Sequence, residues 1–536
     1  MCTLSWQIHD THLSLMFNRD ELLSRPEAFP PIAYESEGTR YLAPIDSKAG
    51  GTWLSVNEKG LVLALLNNYT VSQIPVMNAD IAFKSRGHLV RKLAGKSTVR
   101  EVMQTLHNEN LNHYQPFDFF VFSGIRQPHQ WSWDGSFLRE IIAPTNPAVS
   151  SSLHLPVVKK IRSFLFRKIT KKGLNVISEE EQLAFHQKRI PLLAAYSTAM
   201  KRSDRASVSI THIRIGQKKI QMRYKSGDVT NPDKPFSSQE LPLKDKLYAS
   251  VLPKEVDEFP GIDFRKILLQ KNKAVHDSLP GWIFPVMRKV IMQKTINRVI
   301  RELKGIDGRY FPQTILNYLK VSGRLHTQSF AMPPADSRPL FVANHPTGGL
   351  DGLLMMSLLL QYYPSSKMVV NDILGHIPQL RSIIVPVDLY NHSRNSAEVL
   401  HKAFASDDAL LIFPAGRTGR IRDGIYRDFR WNKMPVRLAK EHGRTIVPVY
   451  INSRNSWKFN TVAFLRTYFG IKLNLEMMLL AREFIKPAQK TFDLFLGEPM
   501  KPELVEKLAD RDSDRAYRLQ KINEEIRTAY MKEMVV

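Results

Sequence analysis

The spacing of apolar residues changes character part-way along this chain, and that change limits what the chain can fold into. From Thr3 to about Asp228 they come in short β-like segments: LSWQIH, LSLMFN, TWLSVN, LVLALLNNY, FDFFVFSG, and SVSITHIRIG followed by KIQMRYKSG. Helical spacing appears in that stretch chiefly from Ser85 to Ala94 and from Lys159 to Lys172. This half reads as a sheet-rich α+β domain. After Arg338 strands alternate with helices, with Leu340–Asn344, Ser382–Asp388, Ala409–Phe413 and Thr445–Ile451 extended and Gly349–Tyr362, Ser396–Ala405 and Lys433–Glu441 helical. That alternation predicts an α/β layered domain on a mainly parallel sheet.

Between the two textures, Ser226 to Pro242 (SGDVTNPDKPFSSQELP) breaks both periods and is the expected linker. Basic helical segments follow from Lys244 to Leu319, including WIFPVMRKVIMQKTINRVIREL, whose aromatic and aliphatic residues are spaced among Lys and Arg. Such a helix can pack on a core or lie on an anionic membrane surface. The expected division is 1–228, a connector over 229–304, and 305–536.

A chain of 536 residues is too long for one ordinary core, and its 43% hydrophobic content can fill two. The formal charge of +25 is not confined to a tail, since Lys and Arg outnumber Asp and Glu by 31 to 21 in residues 1–240 and by 45 to 30 beyond. Folded, basic domains favour an anionic partner: nucleic acid, a phospholipid surface or a phosphate-bearing substrate. No arginine-rich tract, zinc-finger spacing or RNA-binding aromatic signature is present, so sequence-specific nucleic-acid binding is not expected. His9, Asp10, Arg19 and Asp20 interrupt any signal-peptide core, and no run of about 18 apolar residues occurs. The expectation is a cytoplasmic protein, peripheral on the cytoplasmic face of a membrane. A single cysteine, Cys2, excludes an intramolecular disulfide and a Cys-rich zinc site.

In LFVANHPTGGLDGLLMMSLL, His345 falls just after a strand and Asp351 in the first turn of the next helix, where α/β folds place their site groups. Gly348 and Gly349 let the backbone turn tightly and leave space for a ligand. With LLIFPAGRTGR (Leu410 to Arg420) and TIVPVYI around Pro448, this segment resembles the glycerolipid and lysophospholipid acyltransferase superfamily over roughly Gly305 to Pro502. Two departures, a five-residue spacer between His345 and Asp351 and Ala415 in place of the usual Glu, resemble the hemolysin-type and ornithine-lipid branch. They put glycerol phosphate in doubt as the acceptor.

The resemblance implies transfer of a fatty acyl group from acyl-CoA or acyl carrier protein to a lysolipid or amino-lipid, with no bound cofactor and no metal. Neutral imidazole suits His345 as the base that takes a proton from the attacking hydroxyl or amine. Asp351 would hold its tautomer and stabilise the imidazolium. Asn344, Gly348, Gly349, Pro414, Gly416, Arg417 and Arg420 are the expected substrate-binding positions, the two arginines as phosphate clamps. His376, Asp388 and Arg394 could line the same pocket.

At the other end, removal of Met1 would leave Cys2 with a thiol and an α-amine, the amine serving as base for its own nucleophile. FNRDELLSRP from Phe17, GGTWLSVNEKGLVLALLNNY from Gly50 and SRGHLV from Ser85 resemble the NRDE family, which includes the transport-and-Golgi-organisation proteins. That family is similar to N-terminal nucleophile hydrolases, which implies a four-layer αββα sandwich. Arg19 and Asp20 would then sit beside the Cys2 thiol and amine, and Asn68 would donate to an oxyanion. A Cys2-dependent amide hydrolase and a non-catalytic lipid- or haem-handling protein are the alternatives to acyl transfer.

Overall fold

The computed structural model describes residues 2–9, 11–71, 83–124, 127–169, 178–244, 261–271, 273–303, 306, 308–327, 332–387, 394–422, 425–470, 475–487 and 490–533. Its contacts form two compact units, residues 1–251 and 252–536.

In the first unit six strands form an antiparallel sheet in the order Ala148–Ser150, Cys2–Ile8, Leu13–Leu22, Arg205–Ile215, Lys219–Ser226 and Ser237–Pro242. A second antiparallel run follows the order Leu138–Ile142, His129–Trp133, Phe117–Ser123, Leu61–Asn67, Leu54–Asn57, Thr39–Ile45 and Phe29–Ser36. Side chains alternate across a strand, so Leu13, Leu15 and Phe17 all point one way. With Leu4 and Trp6 they meet Val62, Ala64, Leu66, Phe120 and Phe122 of the second run in one apolar layer.

The intervening residues face a helix. Ser14 Oγ donates to Gln182 Oε1 at 2.8 Å and Asn18 Nδ2 to the His186 carbonyl at 2.9 Å, both on the helix Glu179–His186. That helix starts in a capping box between Ser178 and Glu181. With Leu155–Ile169 it covers the outer face of the first sheet, and Gly87–Leu93 and Val99–His107 cover the second. The result is the αββα sandwich that the NRDE resemblance implies.

The Ser226–Pro242 stretch expected as a linker supplies an outer strand instead, because Ser237–Pro242 pairs along its length with Lys219–Ser226. Of its six residues only Leu241 is buried, so no alternation advertises it. Pro242 closes the strand at an edge, where a missing N–H costs no ladder bond.

The second unit is the expected α/β layer. Its strands run in the order Ile384–Val387, Lys367–Asn371, Leu410–Ile412, Leu340–Ala343, Ile446–Asn452, Thr491–Leu496 and Ser322–Thr327. Neighbours are parallel except Ile446–Asn452 with Thr491–Leu496. Leu340–Ala343 is flanked on both sides, and the helix after it, Leu350–Tyr362, buries all its residues up to Leu360. The basic connector segment forms four described helices, Phe264–Lys271, Lys273–Ser278, Ile283–Val290 and Gln293–Glu302, the last two broken at Met292 by a left-handed φ of 54°. The expected boundary at Gly305 and the position of Asp388 lie outside the described residues. No described helix is long and apolar enough to cross a membrane.

Candidate functional site

His345 leaves the C-terminal end of the strand Leu340–Ala343 and faces Asp351, with Nδ1 and Oδ2 3.1 Å apart. The turn between them is built for that meeting. Asp351 accepts the backbone N–H groups of Thr347 at 2.9 Å, Gly348 at 3.3 Å and Gly352 at 3.0 Å. It also occupies the first helical turn, where the macrodipole favours an anion. Gly348 has φ +80°, and a Cβ there would fall 2.6 Å from Thr418 Cγ2, so both backbone and space require glycine. A Cβ on Gly349 would fall 3.1 Å from the Phe484 ring.

The pair is electrostatically coupled. Burial disfavours an imidazolium at His345, but the Asp351 carboxylate outweighs it and holds the group above its ordinary 6.5. Burial likewise opposes charge on Asp351, and His345 together with the backbone donors holds its pKa below the usual carboxylate value. His345 stacks against Phe413 at 4.2 Å between ring centroids.

The second block reaches the same place, since the N–H of Gly419 donates to the His345 carbonyl at 3.0 Å. Phe413 to Gly416 makes a turn closed by the Gly416 N–H on the Phe413 carbonyl, with Gly416 at φ +65°. The Pro414 carbonyl accepts from Asn432 N–H at 3.0 Å.

The two arginines part ways. Arg420 is buried; Nη1 donates to the Thr418 hydroxyl at 2.7 Å and the Gly419 carbonyl at 3.0 Å, and Nη2 lies 3.2 Å from Glu476. A buried guanidinium needs its donors met, and these bonds spend Nη1 and Nη2 on holding the block together, while the buried Nε has no partner among the described residues. Arg417 is exposed over the Phe429 ring at 3.9 Å, and no described carboxylate claims it.

Asn344 is also committed. Its Nδ2 donates to the Ile451 carbonyl at 3.0 Å and its Oδ1 accepts the Ile451 N–H at 2.6 Å, so it pins the His345 loop to the next strand instead of facing a substrate. His376 ends a short 3-10 turn, Asp372–His376, and Arg394 begins the helix Arg394–Ala405.

Sequence reading missed Asp428 and Tyr426, which lie beyond the recognised block. Burial pushes the Asp428 carboxyl up to about 6, opposed by the Trp431 indole bonded at 3.0 Å and by His345, and Asp351 adds to the rise. Burial and the same two carboxylates raise Tyr426 well above 10. His345 thus has one ionised carboxylate and one reluctant one nearby. Only the spacing of aromatics in IYRDFRW hinted at them.

In the N-terminal unit Cys2 opens its strand opposite Arg19 and Ser150, half-buried. Burial pushes its thiol up. Asp20 is tied to Ser207 Oγ at 2.5 Å and to the fully buried Arg162 at 3.3 Å. Arg19 binds Asp46 Oδ2 at 2.5 Å and lies over Trp53 at 4.4 Å. Asn68 Nδ2 donates to Ser132 at 3.1 Å, and Oδ1 accepts from Thr70 N–H at 2.9 Å. Arg162, absent from the sequence expectation, is the charge that neutralises Asp20.

Comparison with known proteins agrees with both halves. The family described as Acyltransferase matches residues 266–519, and the family Transport and Golgi organisation 2 matches residues 1–188. Lyso-glycine lipid O-acyltransferases of Bacteroides thetaiotaomicron and Phocaeicola vulgatus are each 30% identical over 241 residues, which is 45% of this chain and 88% and 86% of theirs. Among solved structures, a Caenorhabditis elegans N-acylethanolamine-hydrolyzing acid amidase ortholog is 13% identical at a TM-score of 0.30, covering 45% of this chain and 100% of its own. A variant of the Clostridium perfringens conjugated bile acid hydrolase is 11% identical at a TM-score of 0.27, covering 48% and 100%. With an N-terminal domain of the Transport and Golgi organisation 2 family, the chain belongs to the acyltransferase family and is a lipid acyltransferase.

Proposed function

We propose that the C-terminal unit, with catalysis in 305–536, moves a fatty acyl group from acyl-CoA or acyl carrier protein to the hydroxyl of a lysolipid with an amino-acid head group. The acceptor class follows that of the relatives, which are lyso-glycine lipid O-acyltransferases. The observation that carries the reading is the His345–Asp351 pair at 3.1 Å.

With Nδ1 turned to Asp351, the neutral imidazole offers Nε2 to the acceptor. It takes the hydroxyl proton as that oxygen adds to the thioester carbonyl, and Asp351 stabilises the imidazolium that forms. Collapse of the tetrahedral intermediate breaks the carbon–sulfur bond, and the imidazolium returns the proton to the departing thiolate. Arg417, exposed at the mouth of the second block, would hold phosphate oxygens of the donor. The work is done at the cytoplasmic face of a membrane, on a lipid surface that supplies the acceptor.

The test is thiol release from acyl-CoA and from acyl carrier protein with a panel of lysolipid acceptors, in wild type and His345→Ala. Release that continues at the wild-type rate in a folded His345→Ala protein overturns the reading. A second reading, a Cys2-dependent amide hydrolase in the N-terminal unit, is favoured by the strand register that sets Cys2 opposite Arg19. Mass spectrometry of the mature N-terminus decides it: retained Met1 leaves no free amine on Cys2 and excludes that mechanism.

A further inference from the structure

A helix beside the site exposes the face that helices ordinarily bury. Trp457–Tyr468 carries Trp457, Thr461, Phe464, Leu465 and Tyr468 at the i, i+4, i+7, i+8, i+11 spacing of a core-facing stripe. Yet Trp457 is 72% exposed, Phe464 67%, Tyr468 75%, and Phe469 just beyond it 68%. Exposed apolar surface of this kind calls for a partner.

The helix itself is firmly held. Phe459 and Ala463 are buried on the opposite face. Ser456 caps the helix, and Glu483 accepts its N–H at 2.7 Å and its hydroxyl at 2.6 Å. Arg466 Nε lies 2.9 Å from Glu476, whose other oxygen receives Arg420. Asn455, immediately before the cap, donates to the Pro346 carbonyl at 3.1 Å, one residue from His345.

Charge selects the partner. Among the described residues from 452 to 487 the acids are Glu476 and Glu483, both buried and bonded as above, whereas Arg454, Lys458, Arg482 and Lys486 are exposed. Exposed charge among these described residues is therefore wholly positive. Tryptophan and tyrosine beside an apolar stripe, edged by lysine and arginine, match the boundary between acyl chains and anionic head groups.

Resting on the lipid-acyltransferase reading, we propose that Trp457–Tyr468 with Phe469 is an interfacial anchor that inserts its aromatic stripe into an anionic lipid surface. Through Asn455 and Pro346 the docked helix holds the His345 loop beside the membrane. The basic segment at Trp282–Glu302, which the sequence also offered for this role, buries Phe284, Val299 and Ile300 in the unit and leaves Trp282 and Val286 exposed, two apolar side chains against the four of the Trp457–Phe469 stripe that are more than 60% exposed.

The experiment is co-sedimentation of the full chain with vesicles of phosphatidylcholine containing phosphatidylglycerol, for wild type and the triple variant Trp457→Ser, Phe464→Ser, Tyr468→Ser. The expected result is a partition constant lower by about tenfold or more at an unchanged unfolding temperature. Should the triple variant fail to fold, Tyr468→Ser alone carries the test with a smaller loss. His345→Ala is expected to bind vesicles like wild type, so a failed transfer assay and a failed anchor are told apart. Wild-type vesicle binding by the folded triple variant overturns the proposal. So does a wild-type dimer, seen by sedimentation equilibrium, that the substitutions abolish while vesicle binding stays intact, since the stripe would then seat a second copy.

Discussion

The two candidate sites differ in where their charges are spent. Around Cys2 they are paired inward: Arg162 with Asp20, and Arg19 with Asp46, all with little or no exposure. Around His345 the inner pair is matched by an outward-facing Arg417 with no described carboxylate partner. A closed charge network mainly stabilises a fold, whereas an exposed cation on the block that bonds the His345 carbonyl, with a coupled His–Asp pair, is suited to binding an anionic substrate and moving a proton.

The largest expected effect sets the sites against each other. His345→Ala should lower the rate constant for acyl transfer by a factor of about 10² to 10⁴, the contribution of a positioned base, while Cys2→Ala and Cys2→Ser leave it unchanged. Steady-state thiol release measures all three. Loss of transfer in the Cys2 variants would break the comparison by showing that the two units act as one.

Arg162→Leu should act on stability. It strands the fully buried Asp20 carboxylate, at a cost of about 3 to 5 kcal/mol for one partner of a buried pair. Denaturant unfolding followed by the tryptophans of the first unit should show the loss. Unfolding unchanged by the substitution would mean that the network around Cys2 is not the closed structural element described above.

Asp351→Asn sharpens the second site. In wild type the raised His345 value should put the acid limb of kcat/KM above 6.5, because a base works only when neutral and becomes neutral as pH rises through its pKa. Without the carboxylate, burial is left to dominate and the limb should move to lower pH, with a reduced plateau. Stability carries the same signs: the raised His345 value favours the fold at low pH and that contribution is lost as pH rises through it. The lowered Asp351 value favours the fold above the ordinary carboxylate range and is lost as pH falls through it. A limb that stays in place in Asp351→Asn would dissolve the pair.

Arg417→Ala should have the smallest effect, a rise in KM for a phosphate-bearing donor of roughly tenfold at a nearly constant kcat, since a phosphate clamp acts in ground and transition states alike. An equal fall in kcat would move Arg417 from binding into the chemistry.

The sequence made the His345 end readable because the strand, the glycine turn and Asp351 are contiguous, so local rules suffice. The αββα sandwich was legible through its motifs and alternating strands such as Leu13, Leu15 and Phe17. Ser237–Pro242 escaped because one buried leucine makes no pattern. Asp428 and Arg162 escaped for another reason: each acts on a group distant along the chain, and no local spacing records that. Arg420 and Asn344 were read as substrate contacts because motif position marks residue type without saying which way a side chain turns.

Gly348 has a bearing on how far acceptor choice could drift in such a protein. Its backbone angle and the neighbouring Thr418 methyl together forbid any side chain, so the floor of the site is closed to variation. The facing surface is not. A Cβ at Gly348 would lie 3.2 Å from Leu480 and one at Gly349 3.1 Å from Phe484, side chains on the short helix Leu480–Ile485 that no catalytic bond restrains. Glu483 on that helix is committed to Ser456, but selection, natural or in the laboratory, can act on its neighbours: trimming Leu480 or Phe484 would widen the room beside the glycine turn without removing either member of the His345–Asp351 pair.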